Sequence, residues 1–268
     1  MSIAKLEDVE IYYETKGTGF PLVMINGYSG NLDGWDHIRP TTDTLAKHFQ
    51  VITLDNRGTG RSSKPEGPYS IPKMADDVAN LLDYLNIEKA HVLGESMGGM
   101  IAQEVALRHP EKVEKLVLVC TGPGGEAYDV SGQMEAIEKV SWMYNPPEGM
   151  GEEEIMDAIF DVAVYPDFLM SHREELMSPS SDYPTCAETL EKQYVGVCMH
   201  DTVDRLGEIK SKTLILHGAD DLLLFPVGAE LMRERIPDAE LLLLDKTSHS
   251  IIEEQGLEVI HKIISFLE

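Results

Sequence analysis

The sequence predicts one α/β domain: a mainly parallel sheet covered by helices on both faces and interrupted by a helical insertion. Three observations carry this. Short apolar runs alternate with helical segments as far as Val119. The rhythm stops after Thr121-Gly122-Pro123-Gly124-Gly125 and resumes at Lys212. A serine flanked by glycines, Gly94-Glu95-Ser96-Met97-Gly98, stands between one apolar run and the next helix. The length of 268 residues suits one large α/β domain with an insertion, or two small domains. The expected division is a core of residues 1–125 and 202–268 and a helical cap of residues 126–201.

The opening segment, Leu6 to Glu14, alternates apolar and polar residues, as an antiparallel edge pair does. Pro21 to Ile25 and Val51 to Asp55 are continuous apolar runs of the kind buried on both faces. Trp35 to Phe49 between them is expected to be helical, with Pro40 near its start or in a preceding loop. Met74 to Leu85 puts Val78, Leu81, Leu82 and Leu85 on one helical face. Ala90 to Leu93 leads into the glycine-flanked serine and a helix ending near His109-Pro110, followed by a strand from Val113 to Val119. This alternation of strand and helix argues for a mainly parallel sheet covered on both faces.

The stretch up to Asp201 offers helices and no convincing strand. Glu135 to Met143, Glu152 to Val164 and Cys186 to Val197 are the expected helices, punctuated by prolines at 146, 147, 166, 179 and 184. Seven of the chain's 13 methionines lie here, among them Met143 and Met170, and would form a pliable apolar wall. A strand from Thr213 to Leu216, a helix from Pro226 to Ile236 and a strand from Glu240 to Asp245 restore the sheet pattern. Leu257 to Leu267 closes the chain as a helix with Val259, Ile260 and Ile263 on its buried side.

Composition narrows the function classes. The net charge of −25 opposes binding to nucleic acid and to anionic membranes. Three cysteines without paired spacing suit a reducing compartment. With no apolar leader at the N-terminus, a cytoplasmic protein is expected. No run is long enough for a transmembrane helix. No clustered Cys/His set, phosphate loop or His-Glu-x-x-His motif occurs, so neither a metal nor a cofactor is expected.

The chemistry is written in the serine turn. Glycines two residues either side of Ser96 relieve a strand-to-helix turn so tight that side chains there would collide. A serine hydroxyl needs a base, and the base an orienting acid. Both stand beyond later strands: Asp221 after the strand at 213–216 and His249 after the last one. Ser96, Asp221 and His249 therefore leave the same carboxyl edge of a parallel sheet.

In this order of nucleophile, acid and base the chain resembles the α/β-hydrolases, the large family that contains esterases, lactonases and carbon–carbon bond hydrolases. Asn26-Gly27-Tyr28-Ser29-Gly30 resembles the family's oxyanion loop, usually His-Gly-x-x-Gly. Asp55-x-Arg57-Gly58-x-Gly60-x-Ser62 resembles its Asp-x-Arg-Gly-x-Gly-x-Ser loop. Gly218-x-x-Asp221 and Ser248-His249 resemble its acid and histidine turns. Together these pieces span nearly all of the chain outside the cap. The resemblance implies an α/β-hydrolase fold with a helical cap, and an oxyanion hole made by the backbone N–H groups of Tyr28 and Met97. Asn26 departs from the usual histidine, which orients the loop and transfers no proton. The acid turn has one residue more than usual before Pro226, which keeps Asp220 as an alternative acid.

The expected function is hydrolysis of a small carboxylic ester or lactone through an acyl-enzyme. Two alternatives stand beside it: a carbon–carbon bond hydrolase of dienone acids on the same residues, and a weakly catalytic ligand-binding protein of the same fold. The negative field would disfavour an anionic substrate unless Arg57, Arg61 or a cap cation such as Arg173 faces the pocket.

Overall fold

The computed structural model describes residues 2–125 and 134–268. Eight strands form one sheet: β1 (Ser2–Lys5), β2 (Glu10–Lys16), β3 (Pro21–Ile25), β4 (Gln50–Leu54), β5 (Ala90–Glu95), β6 (Val113–Val119), β7 (Lys212–Gly218) and β8 (Ala239–Leu244). Their order across the sheet is β1-β2-β4-β3-β5-β6-β7-β8. Only the β1–β2 and β2–β4 pairs are antiparallel. The edge pair is split by a tight turn in which Leu6 N donates to Val9 O at 2.9 Å. Ser2–Lys5, before the alternating segment, thus becomes a strand of its own.

Period-two alternation sends neighbouring residues of each strand to opposite faces. Val23, Ile25, Val92, Leu116 and Leu118 face the helices α2 (Ile71–Tyr84) and α3 (Met97–Arg108). Leu22, Met24, Leu93, Val117 and Val119 face the other side, with α9 (Ile251–Gln255) and α10 (Leu257–Leu267). Glu95 follows Leu93 on this second face. Helix α8 (Pro226–Arg235) joins the first layer through Ala229 and Met232.

No helix spans residues 35–49. A 3₁₀ turn, Leu32–Asp36, precedes a five-residue helix α1, Thr41–Leu45. Pro40 lacks an N–H and restricts the residue before it, so the helix starts only after it. Between β6 and β7 the chain forms α4 (Met134–Ser141), α5 (Glu152–Ala163), α6 (Pro166–Met177) and α7 (Ala187–Cys198). The boundary expected at 125/126 borders residues 126–133, which lie outside the described residues. Helix α6 was not among the expected helices. Pro166 occupies its first turn, where a missing N–H costs nothing, so this proline starts a helix rather than merely interrupting one. On it Met170 is 79% exposed. It therefore belongs to no apolar wall, whereas Met143 packs against the Ile159–Phe160–Val164 cluster.

The Asp55–Ser62 loop is held by buried polar bonds. Ser62 Oγ donates to Asp55 O at 2.6 Å, and Asp55 Oδ1 accepts Leu32 N at 2.8 Å. Arg57 reaches Asp77 on α2 through Nε at 2.6 Å and a terminal nitrogen at 2.7 Å. Both side chains are buried.

Candidate active site

β5 turns into α3 at Ser96, whose φ of 54° and ψ of −119° are strained for any L-residue. The turn exists because its flanking glycines carry no Cβ. A Cβ on Gly94 would lie 2.1 Å from Gly98 O, and one on Gly98 only 2.0 Å from Ile25 O. Ser96 N donates to Val119 O at 2.9 Å, and Thr121 Oγ1 to Ser96 O at 2.8 Å, which fixes the turn to β6. The hydroxyl projects over the carboxyl ends of the strands.

Two further strand ends bring partners to it. His249 Nε2 lies 2.9 Å from Ser96 Oγ, and His249 Nδ1 lies 2.8 Å from Asp221 Oδ2. Asp221 is buried, and its Oδ1 accepts Leu223 N and Leu224 N, each at 2.9 Å. Asp220 is exposed. The structure thus brings together Ser96, His249 and Asp221 and leaves Asp220 outside. His217 stands behind Asp221, with Nε2 2.7 Å from Leu224 O and 3.4 Å from Asp221 Oδ2. Burial lowers the His217 pKa, so the ring is neutral and donates to that carbonyl.

The histidine turn is anchored from outside the sheet. His249 N and Ser250 N donate to Ala163 O at 3.0 and 3.1 Å, at the end of α5. Glu254 accepts Ser248 N at 2.8 Å and Tyr165 N at 3.1 Å. Burial pushes its carboxyl up to about 7.

The Asn26–Gly30 loop faces the serine. No hydrogen bond among the described residues uses the backbone N–H of Tyr28 or Met97. The loop is clamped by α7 and the segment before it. Gln193 Oε1 accepts Ser29 N at 3.1 Å, Thr185 Oγ1 donates to Ser29 O at 2.8 Å, and Tyr28 Oη donates to Leu190 O at 3.1 Å. Gln193, a fully buried glutamine on a helix, is a functional candidate that sequence reasoning passed over. Its partner is 164 positions away, beyond any local signal.

Ser96 stands where two cavity lobes meet. One, about 70 Å³, is apolar and lined by Met97, Met100, Val140, Tyr194, Val197 and Leu224. The other, about 340 Å³, is lined by Asn26, Trp35, His37, Glu95, Phe160 and Glu253, among others. A larger cavity of about 440 Å³ lies on the far side of α7, between Tyr69 and Met199, and includes none of the three residues. Size alone is a poor guide here, because that groove lies away from Ser96, His249 and Asp221. The cations named from the sequence are engaged elsewhere. Arg57 pairs with Asp77 and Asp8, Arg61 with Asp33 at 2.7 Å, and Arg173 with Asp157 at 2.6 Å. Among the described residues, the ionisable side chains lining the larger lobe are Tyr28, Glu95, Glu253, His37 and His249. Neither Glu95 nor Glu253 was singled out from the sequence.

Other histidines serve packing. His91 lies 4.7 Å from the Phe20 ring, and burial lowers its pKa to about 4. His109 Nε2 is 2.8 Å from Asp76 Oδ1. Among the described residues no group of three or more His, Cys, Asp or Glu could hold a metal ion. None of the described helices is long and apolar enough to cross a membrane.

Fold and site define an α/β hydrolase, and the comparisons agree. The family model for the alpha/beta hydrolase fold matches residues 21–153. The protein named "Putative carbamate hydrolase RutD" of Azorhizobium caulinodans is 31% identical over 255 residues, which is 91% of this chain and 89% of the relative. The 2-hydroxy-6-oxononadienedioate/2-hydroxy-6-oxononatrienedioate hydrolase of Paraburkholderia xenovorans is 30% identical over 97% of this chain and 91% of its own. The crystal structure of the enol-lactonase from Burkholderia xenovorans LB400 superposes with a TM-score of 0.84 at 25% identity, covering 99% of each chain. The chain belongs to the α/β-hydrolase family, and it is a hydrolase.

Proposed function

We propose that this protein hydrolyses small carboxylic esters or lactones through an acyl-enzyme on Ser96, with His249 as the base and Asp221 as the orienting acid. The observation that carries the reading is the unbroken hydrogen-bonded line from Ser96 Oγ through the His249 ring to Asp221. Ser96 Oγ attacks the carbonyl carbon while His249 Nε2 takes its proton. The carbonyl oxygen becomes an oxyanion held by the free N–H groups of Tyr28 and Met97, the second of them at the start of α3. His249 then returns the proton to the leaving alkoxide, and the alcohol departs. Water, deprotonated by the same nitrogen, attacks the acyl carbon and releases the acid and Ser96. Asp221 holds the ring with Nδ1–H inward and stabilises its cation without taking the proton. Helices α4 to α7 act as a cap, because Val140, Met143 and Phe160 wall the space above Ser96.

Carbon–carbon bond cleavage on the same residues is the second reading, and the relative of that activity supports it. The substrate in that relative's name is a dioate. The carboxyls of Glu95 and Glu253 in this cavity favour a substrate without carboxylates.

A fluorophosphonate probe and a substrate panel test this. The probe should label Ser96, and p-nitrophenyl esters and lactones should turn over with a burst. Asp221→Asn should cost about 10⁴-fold in kcat, whereas Asp220→Asn should stay near wild type. A dienone diacid cleaved faster than every ester and lactone would replace this reading with the second one. Asp220→Asn as the damaging change would overturn the assigned acid.

A further inference from the structure

The larger cavity lobe beside Ser96 has a chemistry that ester hydrolysis does not by itself require. Glu95, at the end of β5, and Glu253, on α9, approach one another across its wall. Each is half-buried, no donor side chain among the described residues reaches either carboxylate, and the one backbone N–H on Glu253 is its own. Burial, reinforced for Glu95 by the neighbouring Glu253, raises both carboxyls. Arg39, His37 and His249 act on Glu253 only through space, and burial outweighs them. Arg39 donates from Nε to the backbone carbonyl of Glu253 at 3.0 Å and lies 5.8 Å from the Phe168 ring centre, outside the lobe. His37 Nε2 is bound to Glu175 O at 3.0 Å, and His249 is committed to Ser96 and Asp221. Glu254, next in the chain, holds two backbone N–H groups.

A second observation is independent of the acidic pair. Asn26 and Trp35 line the same lobe, are 5% and 4% exposed, and keep Asn26 Nδ2 and Trp35 Nε1 buried without a partner. An unpaired buried donor carries a desolvation cost of about 1–3 kcal/mol, which an oxygen acceptor would relieve. Two acceptor carboxyls and two idle donors thus stand in one lobe beside the nucleophile. A carboxylate would satisfy the donors but meet the acids. An alkyl chain would satisfy neither. A protonated amine with an oxygen nearby satisfies both sets.

We propose that the Trp35–Glu253 lobe is a subsite for a protonated amine, so that the substrate is an amine-bearing ester or lactone with an oxygen acceptor near the amine. This rests on the hydrolase reading above and narrows it. A bound cation favours the ionised form of both carboxyls, which burial disfavours while the lobe is empty.

Binding and turnover separate the two claims. Calorimetric titration at neutral pH with hexylammonium, hexanol and hexanoate reads the subsite without catalysis. Hexylammonium should bind about tenfold more tightly than hexanol, a charge-assisted gain, and hexanoate should not bind measurably. In Glu95→Gln/Glu253→Gln the hexylammonium advantage should vanish. The variant still carries most of the −25 charge, so diffuse attraction of cations to the surface would persist in it and is thereby told apart. Equal binding of hexylammonium and hexanol to wild type overturns the subsite, as does an advantage that survives in the variant. Should the double variant fail to fold, the single variants and the wild-type ratio decide. In turnover, ethyl ω-aminohexanoate should exceed ethyl heptanoate in kcat/KM, or ω-aminohexyl acetate should exceed heptyl acetate, according to which side of the ester enters the lobe. A wild type that prefers the alkyl ester in both pairs overturns the proposal while sustaining the hydrolase reading. A wild type that binds hexylammonium and cleaves no ester or lactone sustains the subsite and removes that reading.

Discussion

Ser96→Ala should lower ester turnover by about a million-fold and leave the fold intact. The hydroxyl makes its hydrogen bond to His249 at the cavity surface, so its removal leaves no buried backbone group unpaired. Alanine suffers the same positive φ as serine, and the strain of the turn is therefore unchanged. Unfolding free energy should stay within about 0.5 kcal/mol of wild type. The measurement is single-turnover hydrolysis of a p-nitrophenyl ester beside a urea melt. Retention of more than about a tenth of wild-type activity, far above the residual rate of a missing nucleophile, would sink Ser96 as the nucleophile. A loss of activity accompanied by unfolding would say nothing of chemistry, which is why the melt belongs to the experiment.

The largest effect on stability should come from Arg57→Met. Its guanidinium is 2% exposed and bidentate on Asp77, itself 3% exposed. Methionine fills a similar unbranched path but strands a buried carboxylate, which costs about 3–5 kcal/mol. Replacing both partners, Arg57→Met/Asp77→Leu, should recover most of this, since no charge is then buried. The deficit should depend on pH. Burial already raises the Asp77 pKa with Arg57 in place, and loss of the cation raises it further. A carboxyl whose folded pKa exceeds its unfolded one contributes stability at low pH and loses it as pH rises. The single variant should therefore be less impaired at about pH 5 than at about pH 8. Equal deficits at both, or a double variant as unstable as the single one, would contradict this account.

Both predictions rest on features of different legibility. The turn at Ser96 is local: five consecutive residues dictate it, and its glycines are where a Cβ would strike Gly98 O or Ile25 O. The sheet was legible for the same reason, because each buried strand is a continuous apolar run that packs on both faces. Asp221 and His249 were legible as strand-end residues. Which of two adjacent aspartates meets His249 had to be seen. Pro166 misled because a proline signals a break as readily as a first turn. Met170 misled because composition does not say which side of a helix faces out. Gln193, Glu95 and Glu253 were invisible. Each acquires its role from a partner brought up by the fold, and none carries a spacing signal. The acidic pair is instructive: Glu95 lies inside the motif that drew attention to Ser96, yet its environment is set by α9, more than half the chain away.

The buried carboxyls have a collective consequence as well. Asp55, Asp77, Glu95, Glu253 and Glu254 all have raised pKa values, Glu254 to about 7. A raised carboxyl contributes stability that is lost as pH rises through its folded value, which for Glu254 falls at about neutral pH. His91, His200 and His217 run the other way, His91 to about 4 and His200 to about 3, so they favour the unfolded state where unfolded histidine is charged. The two trends offset one another in mildly acidic solution. Above the ordinary histidine pKa of about 6.5 the histidine contribution fades, while Glu95, raised well above its usual range, and Glu254 still lose stability as pH rises. Folding just above neutral pH is then accompanied by proton uptake at Glu95 and Glu254. Its calorimetric enthalpy should differ between phosphate and Tris by the difference in their ionisation heats multiplied by the protons taken up, and an enthalpy indifferent to the buffer would show that the uptake does not occur.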